Sequence, residues 1–149
     1  MWLKWAAQFH SCQAIESVVS TPATAELRPP EQSQTDEDDL MPFFVLDQLM
    51  HQFVHLGRSP LQMFQHLWPS LLSHYSGDPW GFVEHIQTFV RRICFAQWKR
   101  ERFAISFRVT AFDLDPKTGF RFPPVQAPFN EELDELRAYV SNLSLRDSS

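Results

Sequence analysis

The chain has 149 residues, enough for one ordinary domain with a modest core. Its net charge is −5 and unevenly placed: residues 1–40 carry seven acids and two bases, residues 91–108 six bases and one acid. That distribution argues against a uniformly basic nucleic-acid binder, although the local patch at 91–108 can meet phosphate on a nucleotide as easily as on a polymer. Two cysteines, Cys12 and Cys94, fit a reducing compartment and no disulfide framework. No apolar run approaches the roughly 18 residues of a membrane span, and the opening MWLKWAAQF lacks the features of a secretory signal. Cytoplasm is the expected location.

Fourteen Phe and five Trp are many for this length. Such density implies either a thick core or a face that meets another domain. Residues 2–9 read as a short helix or the end of one, because Trp2, Trp5, Ala6 and Phe9 fall at helical spacing. Residues 1–20 together read as a helix end and a turn. Residues 21–41 hold three Pro, three Thr and the acidic run Asp36-Glu37-Asp38-Asp39, a composition that excludes one continuous helix. The segment is either an acidic linker or a loop that orders on a ligand.

Three helices are predicted next, over 42–100. Asp39 is a candidate cap for the first, with Pro42 in its first turn and Gly57 at its end. Its apolar face is predicted as Phe43, Leu46, Leu49, Met50, Phe53 and Val54. Ser59-Pro60 opens the second, with Leu61, Phe64 and Leu67 inward and Pro69 as its stop. Asp78-Pro79 opens the third and longest, with Phe82, Ile86, Phe89 and Ile93 along one face and an end near Lys99.

The alternation of RFAISFRVT, in which Phe103, Ile105 and Phe107 share a side, allows one short strand. The turn-rich stretch 113–129 reads as a tail draped over the body. A last short helix is expected over 130–141, with Asn130 as its cap and Glu131 and Glu132 in its first turn. Residues 144–149 are expected to fray.

Several residues are candidates for chemistry. His51 and His55 stand at i, i+4, a spacing that can bind metal, but the Glu of an H-E-x-x-H motif and a third ligand are missing. Packed or surface histidines are the simpler reading. Cys94, between Ile93 and Phe95, reads as a small buried hydrophobe rather than a nucleophile. The acidic run can hold Mg²⁺ beside nucleotide phosphates, or can be a solvated run supporting the next helix; the local chemistry favours the second. In the basic stretch, Lys99 and Arg100 close the longest helix beside a loop, a good place from which to reach a phosphate. Four glycines form no phosphate-cradling loop, and no Gly-Gly-x-Asp-Ser or Walker sequence occurs.

Two stretches together resemble one family, the bacterial glutamine-dependent NAD⁺ synthases. ATAELRPPEQSQTDEDDLMPFFVLD (23–47) is similar to the family segment P-[ST]-A-E-L-R-P-x-Q-x-D-E-x-x-L-x-P-Y-x-V-L-D. The agreeing residues include Thr24, Glu26, Arg28, Gln34, Asp36, Glu37, Pro42 and Asp47. FAQWKRERFAISFRVTAFDLDPKTGFRFP (95–123) resembles the Q-[FW]-K-R segment near the family's C-terminus and the D-P-[RK]-T-x-x-R-F-P tail of one subgroup. The likeness spans about 15–137. Thr21 stands where the family often has Lys or Arg, and Glu31-Gln32-Ser33 lengthens the loop.

The resemblance implies a mainly α chain, the C-terminal helical part of an α/β, Rossmann-like synthase domain of the adenine nucleotide hydrolase type. It implies amidation of nicotinic acid adenine dinucleotide to NAD⁺, using ATP, Mg²⁺ and ammonia from glutamine, in a homo-oligomer. It makes 21–41 a mobile loop closing over the nucleotides, with Thr24, Glu26, Asp36 and Glu37 contacting substrate. It places Lys99 and Arg100 as cations facing phosphate or the adenylate. The family's ATP-binding loop and nitrilase-like glutaminase domain lie upstream of the matched segments, so the chain is expected to be a fragment, inactive alone. The rival reading is a non-catalytic helical interaction module. A third and weaker reading is single-strand nucleic-acid binding through the Phe/Trp/Arg stretch.

Overall fold

The computed structural model describes residues 2–10, 12–21, 24, 29, 34–102, 104, 113–125 and 128–146. These are mainly helical, with no strand among them. The strand expected at 102–110 falls almost wholly outside the described residues. The chain divides into two compact units, 1–41 and 42–149.

The first unit pairs two short helices, α1 (Trp2–His10) and α2 (Gln13–Ser20). The second of these was not expected, because Ile15, Val18 and Val19 make too short a pattern to announce a helix. It is ended by extended backbone at Thr21, whose N–H and hydroxyl both reach the Ser17 carbonyl at 3.2 and 2.9 Å. Ala6 is the buried residue of α1, whereas Trp5 is 50% and Phe9 70% exposed. Nothing in α2 is buried. The acidic run is itself a turn of helix, α3 (Asp36–Asp39). Thr35 caps it by accepting from the Asp38 N–H at 3.2 Å. Four carboxylates therefore crowd the positive end of a helical turn, where the N–H dipoles stabilise them. Asp39 does not cap the next helix as expected; it accepts from Gln34 Nε2 at 2.5 Å.

The second unit holds the core. Helix α4 (Phe43–Met50) starts after Pro42, with no side-chain cap. It continues into a π-helical turn, His51–His55, that adds a residue to the spiral. The buried residues are Val45, Leu49, Gln52 and Phe53; of the predicted face Leu49 and Phe53 are buried, whereas Phe43 is 40% exposed. The predicted end holds: Gly57 adopts φ +63°, a conformation costly for any side-chain-bearing residue.

Helix α5 (Pro60–Leu71) opens on a full capping box, in which Ser59 Oγ accepts from the Gln62 N–H and Gln62 Oε1 from the Ser59 N–H. Pro69 does not stop it. A proline this close to a helix end sacrifices one backbone bond, and burial of Leu71 at 3% exposure holds the last turn. Helix α6 (Pro79–Phe95) is capped by Asp78, which accepts from the Trp80 N–H at 2.9 Å. It ends four residues before the predicted point. At Ala96 the backbone turns to ψ 0°, and a separate turn, α7 (Gln97–Arg100), follows.

Helix α8 (Asn130–Arg146) is as long as α6, at 17 residues, and runs through positions expected to fray. Asn130 is its first residue and not its cap, for the Leu133 N–H bonds the Phe129 carbonyl at 3.0 Å. Leu133, Leu136 and Val140 are buried against α5 and α6. Arg137 adds a polar tie by donating to Gln87 Oε1 of α6 at 2.5 Å. One aromatic cluster fills this bundle: Phe64 lies 5.4 Å from Trp68 and 5.7 Å from Phe82, which meets Tyr75 at 5.3 Å. A second cluster centres on Phe53, with Phe89, Phe120, Phe122 and Phe129 at 5.6–6.1 Å. Phe120 and Phe122 thus lay the tail over the body, as expected.

Candidate functional site

The cationic end of α6 and α7 is built on a buried amide. Gln97 is fully buried, and its Nε2 donates to Glu101 Oε1 at 2.8 Å and to the Phe122 carbonyl at 3.1 Å. Its Oε1 accepts from Arg100 Nε at 3.0 Å and from Arg100 Nη2 at 2.7 Å. Arg100 Nη2 also bonds the Ile93 carbonyl. That carbonyl is one of the acceptors orphaned where α6 ends, so the guanidinium bridges the break between the two helices. Burial pushes the Arg100 pKa down, against the opposing pull of the Cys94 thiol and Glu101. Lys99 behaves differently: it is exposed, with Nζ 5.7 Å from the Trp98 ring centre. Arg102 approaches the same half-exposed ring at 5.8 Å. An ammonium beside an aromatic face and open to water can still meet a phosphate.

The acidic candidates lie in the first unit. Asp36 and Glu37 are the first two residues of α3, and Glu37 is exposed while Asp36 and Thr24 are half-buried. Glu26 lies outside the described residues. Among the described residues no group of three or more His, Cys, Asp or Glu is placed to hold a metal. His51 and His55 stack with ring centres 5.1 Å apart on the π-helical turn. Cys94 is buried in α6, and its thiol is pushed up by burial.

Two features went unsingled in the sequence. Gln97 was visible only as one letter of the Q-W-K-R string, and nothing local marks it as a hub. The pair Tyr75 and His85 is joined by a 2.6 Å bond between the phenol and Nδ1. Burial raises Tyr75 to about 12 and lowers His85, which His74 lowers further and Glu84 partly restores.

The described residues are mainly helical, and no glycine-rich phosphate-cradling loop occurs among them beside this cationic end. Among solved structures, a glutamine-dependent NAD(+) synthetase from Cytophaga hutchinsonii matches with a TM-score of 0.66 and 29% identity, over 91% of this chain and 19% of that one. In sequence and fold the chain therefore resembles part of a glutamine-dependent NAD⁺ synthetase, about a fifth of its length. No family model matches the chain, and no curated protein does. No described helix is long and apolar enough to cross a membrane.

Proposed function

We propose that this chain is the C-terminal helical part of a cytoplasmic, homo-oligomeric NAD⁺ synthase and works only with the remainder of that enzyme. The complete enzyme would amidate nicotinic acid adenine dinucleotide to NAD⁺ with ATP, Mg²⁺ and ammonia from glutamine. The observation that carries the reading is the match over nearly the whole chain to one-fifth of a glutamine-dependent NAD(+) synthetase. In this reading Thr24, Glu26, Asp36 and Glu37 sit on a loop that closes over the nucleotides and excludes water from the reactive intermediate. Lys99 presents a cation to charge developing on phosphate. Arg100 shares that role through its remaining donors while bracing the helix end that aims Lys99. Mg²⁺ would arrive on the nucleotide phosphates, which needs only one or two protein carboxylates.

The test is reconstitution. The chain is mixed with a separately produced synthase portion bearing the Gly-Gly-x-Asp-Ser segment, and NAD⁺ formation is followed. Activity is expected only with both parts present. Lys99→Ala is expected to lower kcat about 100-fold, roughly 2.7 kcal/mol of transition-state stabilisation, with the melting temperature unchanged. No activity in any mixture counts against the synthase reading; unchanged kcat counts against Lys99.

A second reading, a non-catalytic helical interaction module of the same descent, is favoured by one observation. The second unit closes its own core, with Phe64, Phe82, Leu133, Leu136 and Val140 at most 1% exposed. A monodisperse chain that melts cooperatively and never restores NAD⁺ formation would be that module.

A further inference from the structure

A cavity of about 380 Å³ opens between the π-helical turn, the tail and the start of α8. Its volume lies in the range of small-molecule sites. The walls are mostly aromatic: Phe53, Phe120, Phe122 and Phe129. Two local departures from regular backbone meet there. The π-helical turn supplies Phe53 and Val54, and a π-turn is a costly interruption found often at functional sites. Phe129 takes φ +54°, an outlier for a bulky residue that persists only where its surroundings over-determine it.

The same cavity is lined by two opposite charges, Arg58 and Glu132. They form no ion pair with each other among the described residues. Arg58 Nη1 instead donates to Gln52 Oε1, and Gln52 is itself buried at 6% exposure. The guanidinium is thus aimed by a buried amide, with further N–H donors on its fork. Glu132 sits in the first turn of α8. A cation and an anion facing one apolar cavity, without closing on each other, leave a complementary pair to be supplied from outside. A polar cleft of about 660 Å³, lined by Leu56, Gln65 and His66, shares Gly57, Arg58 and Gln62 with the cavity.

We propose that this cavity binds a free aromatic amino acid, its ring among the four phenylalanines, its carboxylate on Arg58 and its ammonium on Glu132. The proposal does not rest on the synthase reading, since no residue of the nucleotide or cationic candidates lines the cavity. A ring alone would satisfy only the walls, and an acid or an amine alone would leave one charge unmet.

The test titrates the isotope-labelled 149-residue chain with four probes and follows backbone amide shifts. The probes are L-phenylalanine, 3-phenylpropionate (acid only), phenethylamine (amine only) and 2-phenylethanol (neither charge). L-Phenylalanine, with about a dozen non-hydrogen atoms, is expected to bind in the millimolar range or better, shifting residues 53–62 and 129–132. Each one-charge probe is expected to bind about tenfold more weakly, and the alcohol more weakly still. Arg58→Gln should erase the preference for L-phenylalanine over phenethylamine. Glu132→Gln should erase its preference over 3-phenylpropionate. The probe series on the unaltered chain stands even if a variant fails to fold. Equal binding of all four probes would reduce the site to an apolar void and overturn the proposal. So would the absence of shifts in those segments up to about 20 mM L-phenylalanine, above the range expected for such a ligand.

Discussion

The two units use the same kind of residue in opposite ways. Both are rich in aromatics and aliphatics. In residues 42–149 a core is sealed, with Phe64, Phe82, Leu49, Ile86 and Leu136 at most 1% exposed, and Phe44, Phe95 and Trp98 lie outside it at 47–63% exposure. In α1 and α2, Leu3, Trp5, Phe9 and Val18 are 42–70% exposed. Two helices of nine and eight residues are too short to be stable by propensity, and packing on one neighbour buries little. Apolar composition is therefore no measure of stability; the number of faces an element can cover is. Under the synthase reading proposed above, this apolar stripe would meet further protein.

The largest test of this contrast is Phe82→Ala against Trp5→Ala. Removing Phe82 empties a site bounded by Phe64, Trp68 and Tyr75, with an expected loss of about 3–5 kcal/mol. Trp5→Ala should change the stability of the isolated chain by less than about 0.5 kcal/mol. Urea unfolding decides it, and equal losses would break the comparison.

Next in size is Gln97→Leu. It leaves the Phe122 carbonyl without the Gln97 donor and Arg100 with the Ile93 carbonyl but without the Gln97 acceptor, at a cost of about 1–3 kcal/mol. The tail carrying Phe120 and Phe122 should then exchange its amides faster than α5 does. Ser59→Ala removes half of the capping box and should cost about 1 kcal/mol; a loss that Gln62→Ala does not add to would show that the two act as one device.

The smallest expected effect is on pH dependence. The folded-state pKa of His85 lies below its ordinary 6.5, so the unfolded chain binds the proton more readily. Its contribution is complete above pH 6.5 and is lost as pH falls from there through the lowered value. Tyr75 is raised from 10 to about 12, so its contribution is complete below pH 10 and is lost as pH rises toward 12. His85→Gln should flatten the acid side of a melting-temperature profile and leave the alkaline side intact. An unchanged acid side would show that other groups govern it.

Much of the helical body was legible in advance. Gly57, Ser59-Pro60 and Asp78-Pro79 mark helix boundaries because each acts on its own backbone within a turn or two. The family resemblance was legible because two strings carry it, and 29% identity to a solved synthetase agrees with that. The structure moved what depends on distant partners. The inward face of α4 keeps the predicted Leu49 and Phe53 but takes in Val45 and Gln52 in place of Phe43. Helix α8 runs past its predicted end at 141 to Arg146.

The sequence alone determined where α5, α6 and α8 begin, that the chain is mainly α, and which family it resembles, because capping, periodicity and strings of identical residues are written locally. Only the tertiary structure decided that Gln97 is the hub under the cationic end. The same holds for Arg58 and Glu132, 74 positions apart, which line one aromatic cavity. A hydrogen-bond partner or a cavity wall 25 or more residues away leaves no trace in spacing, because folding, not adjacency, brings it within reach.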